Sequence, residues 1–179
     1  LRGTPTMYQG DEIGIGEVTI PPDRVRDPQE LRQPGIGIGR DRSRTPMPWD
    51  DTPFAGFSIS EPWLPLNEDW QTRNVAALES DNRSLLNFYR VLLDLRRSHD
   101  ALSIGDFSFV EADEDVLAYE RRHGNGRLLI VLNLGSTTRS FAAPSQLTVA
   151  EVLASTHPIR PFDGTIAPDE GLVLSLTNA

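Results

Sequence analysis

Between Gly14 and Trp70 the chain carries no sustained helical or strand period, and it is rich in glycine and proline. Irregular connections longer than about 12–15 residues are uncommon in compact domains and tend to be functional or disordered. Disorder does not suit this one, because Phe54, Phe57, Trp63, Leu64, Leu66 and Trp70 offer apolar anchors along it. The segment reads as a long ordered loop. Any fold this chain adopts must supply a scaffold that holds such a loop, and loops held on a rigid scaffold are where binding sites are built.

Charge is densest in "GRDRSRTPMPWDD", residues 39–51. Arg40, Arg42 and Arg44 crowd against Asp41, Asp50 and Asp51, around Pro46, Pro48 and Trp49. The prolines forbid a regular helix interior. Two roles compete. The charges can pair to lock the loop, with Trp49 as a core anchor, or part of the cluster can face a ligand. "GIGIG", residues 35–39, follows no strand and is not a dinucleotide fingerprint.

The flanks are more regular. Thr4–Tyr8 is a short β-prone run expected to form one strand, with Gln9-Gly10 and the acidic pair Asp11-Glu12 after it. Residues 81–98 place Leu85, Phe88, Tyr89, Leu92 and Leu95 at three- and four-residue steps, the period of a helix. Asp81 is its expected N-cap, and "NVAALES" reads as a short helix before it. After Ile104 the texture changes to "FSFV", "DVLAYERR", "RLLIVLNL", "TVAEVL" and "GLVLSL", separated by turn residues. "RLLIVLNL" is apolar on both faces and belongs in the middle of a sheet. His123-Gly124-Asn125-Gly126 is a hairpin signal through its Asn-Gly pair, and Asp169-Glu170-Gly171 turns into the last strand. The expected division is residues 1–103 and residues 104–179, the second an antiparallel β unit.

The formal net charge of -9 argues against nucleic acid and anionic membrane as partners. No apolar stretch approaches the roughly 20 residues of a membrane span. Cysteine is absent, which fits a reducing compartment and a cytoplasmic location. His99, His123 and His157 show no metal-ligand spacing, so neither a metal nor another cofactor is expected. The chain opens without Met or a signal pattern, which suggests the C-terminal part of a longer protein.

"GTPTMYQGDEIG", "GRDRSRTPMPWDD", "GFS" and "EPWLPLN" together resemble the α-amylase family of glycoside hydrolases, in its α-glucosidase and oligo-1,6-glucosidase branch. The resemblance implies a mixed fold: the C-terminal end of a (β/α)8 barrel, followed by a small antiparallel β-sandwich domain. Thr4–Tyr8 would be the eighth barrel strand, Gln9–Trp70 the loop after it and the helix from Asp81 the last barrel helix. Enzymes of this family are retaining, with two carboxyl groups about 5–5.5 Å apart. In the family these lie on strands before the eighth, so no catalytic residue is assigned here. The chain alone is expected to be inactive, its partner being the missing N-terminal barrel.

What the resemblance leaves to this chain is one wall of a pocket for an α-glucoside or malto-oligosaccharide. In the family an arginine of this loop reaches the terminal glucose and makes the enzyme exo-acting. Arg40, Arg44 and Asp41 are the candidate substrate-binding residues. Arg40 is favoured for the sugar, Arg44 for internal pairing, Asp41 and Trp49 for holding the loop, and Arg42 for solvent. Asp11 and Glu12 would support the wall. Relatives specific for α-1,6 bonds place a glutamate near residues 25–30. The departure at Asp27-Pro28-Gln29-Glu30 favours short α-1,4-linked substrates. Rival readings are a trehalose synthase or sucrose isomerase, a transporter subunit, and a free carbohydrate-binding β-module in residues 104–179.

Overall fold

The computed structural model describes residues 1–178, and the β-rich runs after Ile104 pair in it as one antiparallel sheet of five strands. The strands are β1 (Asp106–Val110), β2 (Val116–His123), β3 (Gly126–Asn133), β5 (Leu147–Ser155) and β7 (Gly171–Asn178), in the order β1-β2-β3-β7-β5. The doubly apolar β3 is central, as its sequence requires. Two short strands escape the sequence pattern, β4 (Arg139–Ser140) and β6 (Thr165–Ile166), which pair with each other as a separate ribbon. Two residues are too few to show an alternation.

Period-two alternation sorts the side chains onto two faces. Val116, Ala118, Leu129, Val131, Leu172 and Leu174 join Phe141 and Ile166, which flank or sit in the ribbon, in one buried cluster. Tyr119, Leu128 and Ile130 form the other cluster with Ala101. Ala101 belongs to α4 (Asp100–Ser103), which covers that face. The β-sandwich is therefore lopsided, a full sheet with a ribbon as its second layer.

The hairpin between β2 and β3 forms one residue earlier than its Asn-Gly signal suggests. His123 pairs with Gly126, so the turn residues are Gly124 and Asn125. Only Gly124 has a positive φ, at 54°, and glycine at the first turn position is the preference of a type II′ turn. Asp169 enters the last strand through a left-handed φ of 54°, a conformation Asp tolerates better than most residues.

The helices are α1 (Pro28–Arg32), α2 (Val75–Ser80), α3 (Leu85–Ser98) and α4. Helix α3 starts later than residue 81. Asp81 ends α2 instead, its backbone N–H reaching Leu78 O, and its carboxylate accepts from Arg83 N at 2.9 Å. Ser84 takes the capping role, its Oγ accepting from Asn87 N at 3.2 Å. Leu86, outside the sequence-derived stripe, is the buried residue of α3, packed with Ile13 and Met47.

The chain divides into two compact units, Pro5–Tyr89 and Leu1–Thr4 with Arg90–Ala179. In the second, Arg121 is 1% exposed and, among the described residues, donates to three carbonyls: Leu1 O at 2.7 Å, Gly105 O at 3.0 Å and Asp106 O at 3.3 Å. Burial, with Arg96 and Arg2 nearby, pulls its pKa below the ordinary arginine value. The expected strand at Thr4–Tyr8 is not formed among the described residues; the run is exposed and pairs with no other strand. A strand exists only with a partner ladder. Among the described residues no helix is long and apolar enough to cross a membrane.

Candidate functional site

The charged stretch folds around a residue that lies well before it. Asp27 caps α1, its Oδ1 accepting from Gln29 N at 2.8 Å with Pro28 at the first helical position. Its other oxygen, Oδ2, accepts from Arg40 Nε at 2.8 Å and from Arg40 N at 3.2 Å. Arg44 Nη1 stands 3.8 Å from the same oxygen. The Asp27 side chain has no exposed surface, while those of Arg40 and Arg44 are 58% and 55% exposed. The hydrogen bond from Arg40, then that from Gln29 N, hold the Asp27 carboxyl down at a pKa of about 2, against the opposing effect of burial.

Asp41 is buried and, among the described residues, forms an ion pair with none of the arginines around it. Its Oδ2 accepts the backbone N–H of Arg26 at 2.6 Å and of Asp27 at 2.8 Å. Two aspartates thus brace two chain segments from opposite sides. Arg42 points elsewhere, to Glu17 at 3.2 Å, and stays 44% exposed. Arg44, expected to pair internally, reaches Asp27 only at 3.8 Å, while Arg40, favoured for the sugar, is the more closely paired of the two at 2.8 Å. Among the described residues, nothing accepts a hydrogen bond from the terminal nitrogens of Arg40 or from the Arg44 guanidinium.

Beyond Arg44 the stretch is pinned by burial. Thr45, Pro46, Met47 and Pro48 are all buried, and Gln9 Nε2 donates to Thr45 O at 3.0 Å. Trp49 is not the expected core anchor; the residue is 51% exposed. Backbone contacts do that work. Trp49 N donates to Ala55 O at 2.8 Å, across a left-handed turn in which Phe54, Ala55 and Gly56 have φ of 58°, 59° and 64°. The carbonyls of Pro48 and Trp49 accept from Val75 N and Ala76 N, each at 3.0 Å, and Asn74 Oδ1 accepts from Ala77 N at 2.9 Å. The loop so satisfies the N–H groups that open α2. Leu64, 1% exposed, is the buried anchor of the later part, while Trp63 and Phe57 are 67% and 48% exposed.

Asp11, Glu12 and Glu30 serve local turns. Asp11 Oδ2 accepts Tyr8 N and Glu12 Oε2 accepts Gly10 N, both at 2.9 Å. Gly10 adopts a φ of 96° with the Ile15 side chain against it, so a larger residue there meets both strain and a clash. Glu30 is tied to the glycine-rich segment, accepting Gly35 N at 2.9 Å and Gly39 N at 3.0 Å. The sequence reading missed Asp27 as a site residue. The Asp-Pro step that opens α1 marks a helix cap, and nothing in its neighbourhood points to Arg40. The chemical capacity of the arrangement is hydrogen-bond donation from two partly exposed guanidinium groups held by one buried carboxylate.

Comparison with known proteins identifies the frame in which this site sits. The family described as "Alpha amylase, catalytic domain" matches residues 1–105. The chain belongs to the alpha-amylase family. A domain of unknown function, DUF3459, matches residues 108–174, the sheet and its ribbon. An oligo-1,6-glucosidase from Parageobacillus thermoglucosidasius is 33% identical over 89% of the chain and 32% of that protein. A probable alpha-glucosidase from Rhizobium meliloti is 35% identical over 80% of the chain and 26% of that protein. Among solved structures, the trehalulose synthase MutB from Pseudomonas mesoacidophila superposes with a TM-score of 0.83 at 30% identity, over 98% of this chain and 36% of that one. A variant of that synthase solved with its substrate sucrose superposes at 0.81 with 28% identity, over 98% and 36% of the two chains. This alpha-amylase family chain spans about a third of the length of these relatives. It has the architecture of the end of the barrel followed by the β domain.

Proposed function

We propose that this chain is the C-terminal part of a retaining, exo-acting α-glucosidase. It would supply the wall of the pocket that reads the terminal glucose of a short oligosaccharide. The carrying observation is the pair Arg40 and Arg44, both more than half exposed at the side chain and both within 4 Å of the buried Asp27 carboxylate. A guanidinium offers donors in a fixed plane, suited to sugar hydroxyls. Asp41 contributes by holding the backbone beneath them. The relatives' names support a glucoside as substrate.

The cleaving carboxylates come, on this reading, from barrel strands outside the chain, and the exposed Trp49, Trp63 and Tyr8 meet that missing barrel. Residues 1–103 then complete the barrel and residues 104–179 form the β domain that follows it in sequence. The cysteine-free composition suits work in the cytoplasm. The test is glucose release from maltose and isomaltose. The full-length parent is expected to release it and the 179-residue chain is not; release by the chain alone contradicts the assignment.

A second reading is favoured by the structural likeness to trehalulose and isomaltulose synthases, the latter at a TM-score of 0.82. The parent would then rearrange a glycosidic bond rather than hydrolyse it. Product analysis on sucrose separates the two, since an isomerase returns another disaccharide and a hydrolase returns monosaccharides.

A further inference from the structure

We propose that Asp27 is a positioning residue for the sugar, setting the plane in which Arg40 presents its free nitrogens and drawing Arg44 toward the same carboxylate. The inference rests on the pocket-wall reading and adds a residue to it.

The argument starts from geometry. An arginine side chain has many rotamers, and an exposed one samples them at little cost. A site that must recognise hydroxyls needs the guanidinium already in place. Arg40 is fixed at two points on one oxygen, its own backbone N–H at 3.2 Å and its Nε at 2.8 Å from Asp27 Oδ2. Holding Nε rather than the terminal nitrogens orients the guanidinium plane and leaves its outer edge unoccupied. Arg44 lies 3.8 Å from the same oxygen, so one carboxylate serves as the electrostatic hinge for both side chains. Its own position is determined in turn. Gln29 N binds Oδ1 at 2.8 Å, and Asp41 binds the Asp27 backbone N–H at 2.8 Å. Asp27 has no exposed side-chain surface, so it touches the sugar only through the arginines.

The experiment compares Asp27→Asn and Arg40→Ala in the full-length parent, measuring KM and kcat on maltose. The amide keeps the shape of the carboxylate and its capping oxygen but loses the charge that holds both guanidiniums. Asp27→Asn is expected to raise KM about ten-fold with kcat changed less than about three-fold, the pattern of lost binding shared by ground and transition states. The Arg40 Nε–H resonance, assigned by its absence from Arg40→Lys, is expected to lose its hydrogen-bonded shift. An unchanged KM in Asp27→Asn beside a raised KM in Arg40→Ala overturns the role of Asp27 and leaves the pocket wall standing. An unchanged KM in both overturns this inference, and an unchanged KM in Arg44→Ala as well removes the pocket wall with it. If Asp27→Asn does not fold, the unsubstituted protein decides. Slow solvent exchange of the Arg40 Nε–H, relative to that of Arg42, supports the bond to Asp27, and equal exchange overturns it.

Discussion

Asp27 and Asp41 brace each other's segments: Asp41 Oδ2 holds the backbone N–H of Asp27 at 2.8 Å, while Asp27 Oδ2 holds that of Arg40, the residue before Asp41, at 3.2 Å. Neither carboxylate needs the other as a partner. Each fixes the chain on which the other sits, so the two segments form a closed frame within an otherwise irregular loop. The two arginines are mounted on that frame.

Removing one side of the frame has a predictable cost. Asp41→Ala leaves the buried N–H of Asp27 and the partly exposed N–H of Arg26 without their acceptor. An unpaired buried donor costs about 1–3 kcal/mol, so a loss of about 2 kcal/mol is expected, chiefly from Asp27. Asp41→Asn keeps one acceptor oxygen and should lose less. Urea unfolding of the two variants beside the unsubstituted protein gives the difference; equal stability of Asp41→Ala contradicts the frame.

The frame also carries a pH dependence. An unfolded aspartate titrates near about 3.9, and Asp27 in the fold titrates at about 2. A carboxyl depressed by folding contributes its full stability above the unfolded value and loses it as pH falls through the folded one. The groups facing it are Arg40 and Arg44, charged throughout this range, with the backbone N–H of Gln29. Between pH 5 and pH 2 the unsubstituted protein should lose more stability than Asp27→Asn. Parallel curves would show that the Asp27 carboxylate does not bind more tightly in the fold.

The left-handed turn after Trp49 is a third place where one atom decides. Gly56 has a φ of 64°, and a Cβ there would stand 2.6 Å from the nearer Asp50 carboxylate oxygen. Gly56→Ala adds a residue in the left-handed region, worth about 1–2 kcal/mol, and pushes Asp50 off Thr52 N, which it holds at 2.9 Å. A loss of about 2 kcal/mol is expected in chemical denaturation. No loss would mean that the turn opens freely.

In the β domain, Arg121→Met keeps the bulk and removes the three donors to Leu1, Gly105 and Asp106 carbonyls. Destabilisation of about 2–3 kcal/mol is expected from the acceptors left unsatisfied. Thermal unfolding checks it, and an unchanged midpoint would mean that water replaces the guanidinium without cost.

Much of this was legible in the residues because regular structure writes its period into the sequence. The five long strands and α3 show alternation or three-and-four spacing, and the doubly apolar "RLLIVLNL" is the central strand. Boundaries and short pieces were less legible. Ser84, not Asp81, caps α3, since both are good caps and residue type alone does not choose between them. Strands β4 and β6 are too short to carry a pattern. The run at Thr4–Tyr8 shows that β propensity cannot make a strand without a partner. The candidate site was half legible. Its arginines stand out, but their partner Asp27 comes from another turn of an irregular loop, where no period links positions. Trp49 was misplaced because its backbone, not its ring, anchors the loop.

Whether Arg40 and Arg44 read a terminal glucose is decided by steady-state kinetics of the full-length parent carrying Arg40→Ala, Arg44→Ala or both. Losing a hydrogen bond to a sugar hydroxyl costs about 1–3 kcal/mol, or roughly 5- to 150-fold. At least one single variant is expected to lower kcat/KM for a disaccharide by ten-fold or more, and the double variant by more again, with the fold retained. A folded double variant with unchanged kcat/KM would show that the arginines only fasten the loop, and would contradict the pocket wall proposed for this chain.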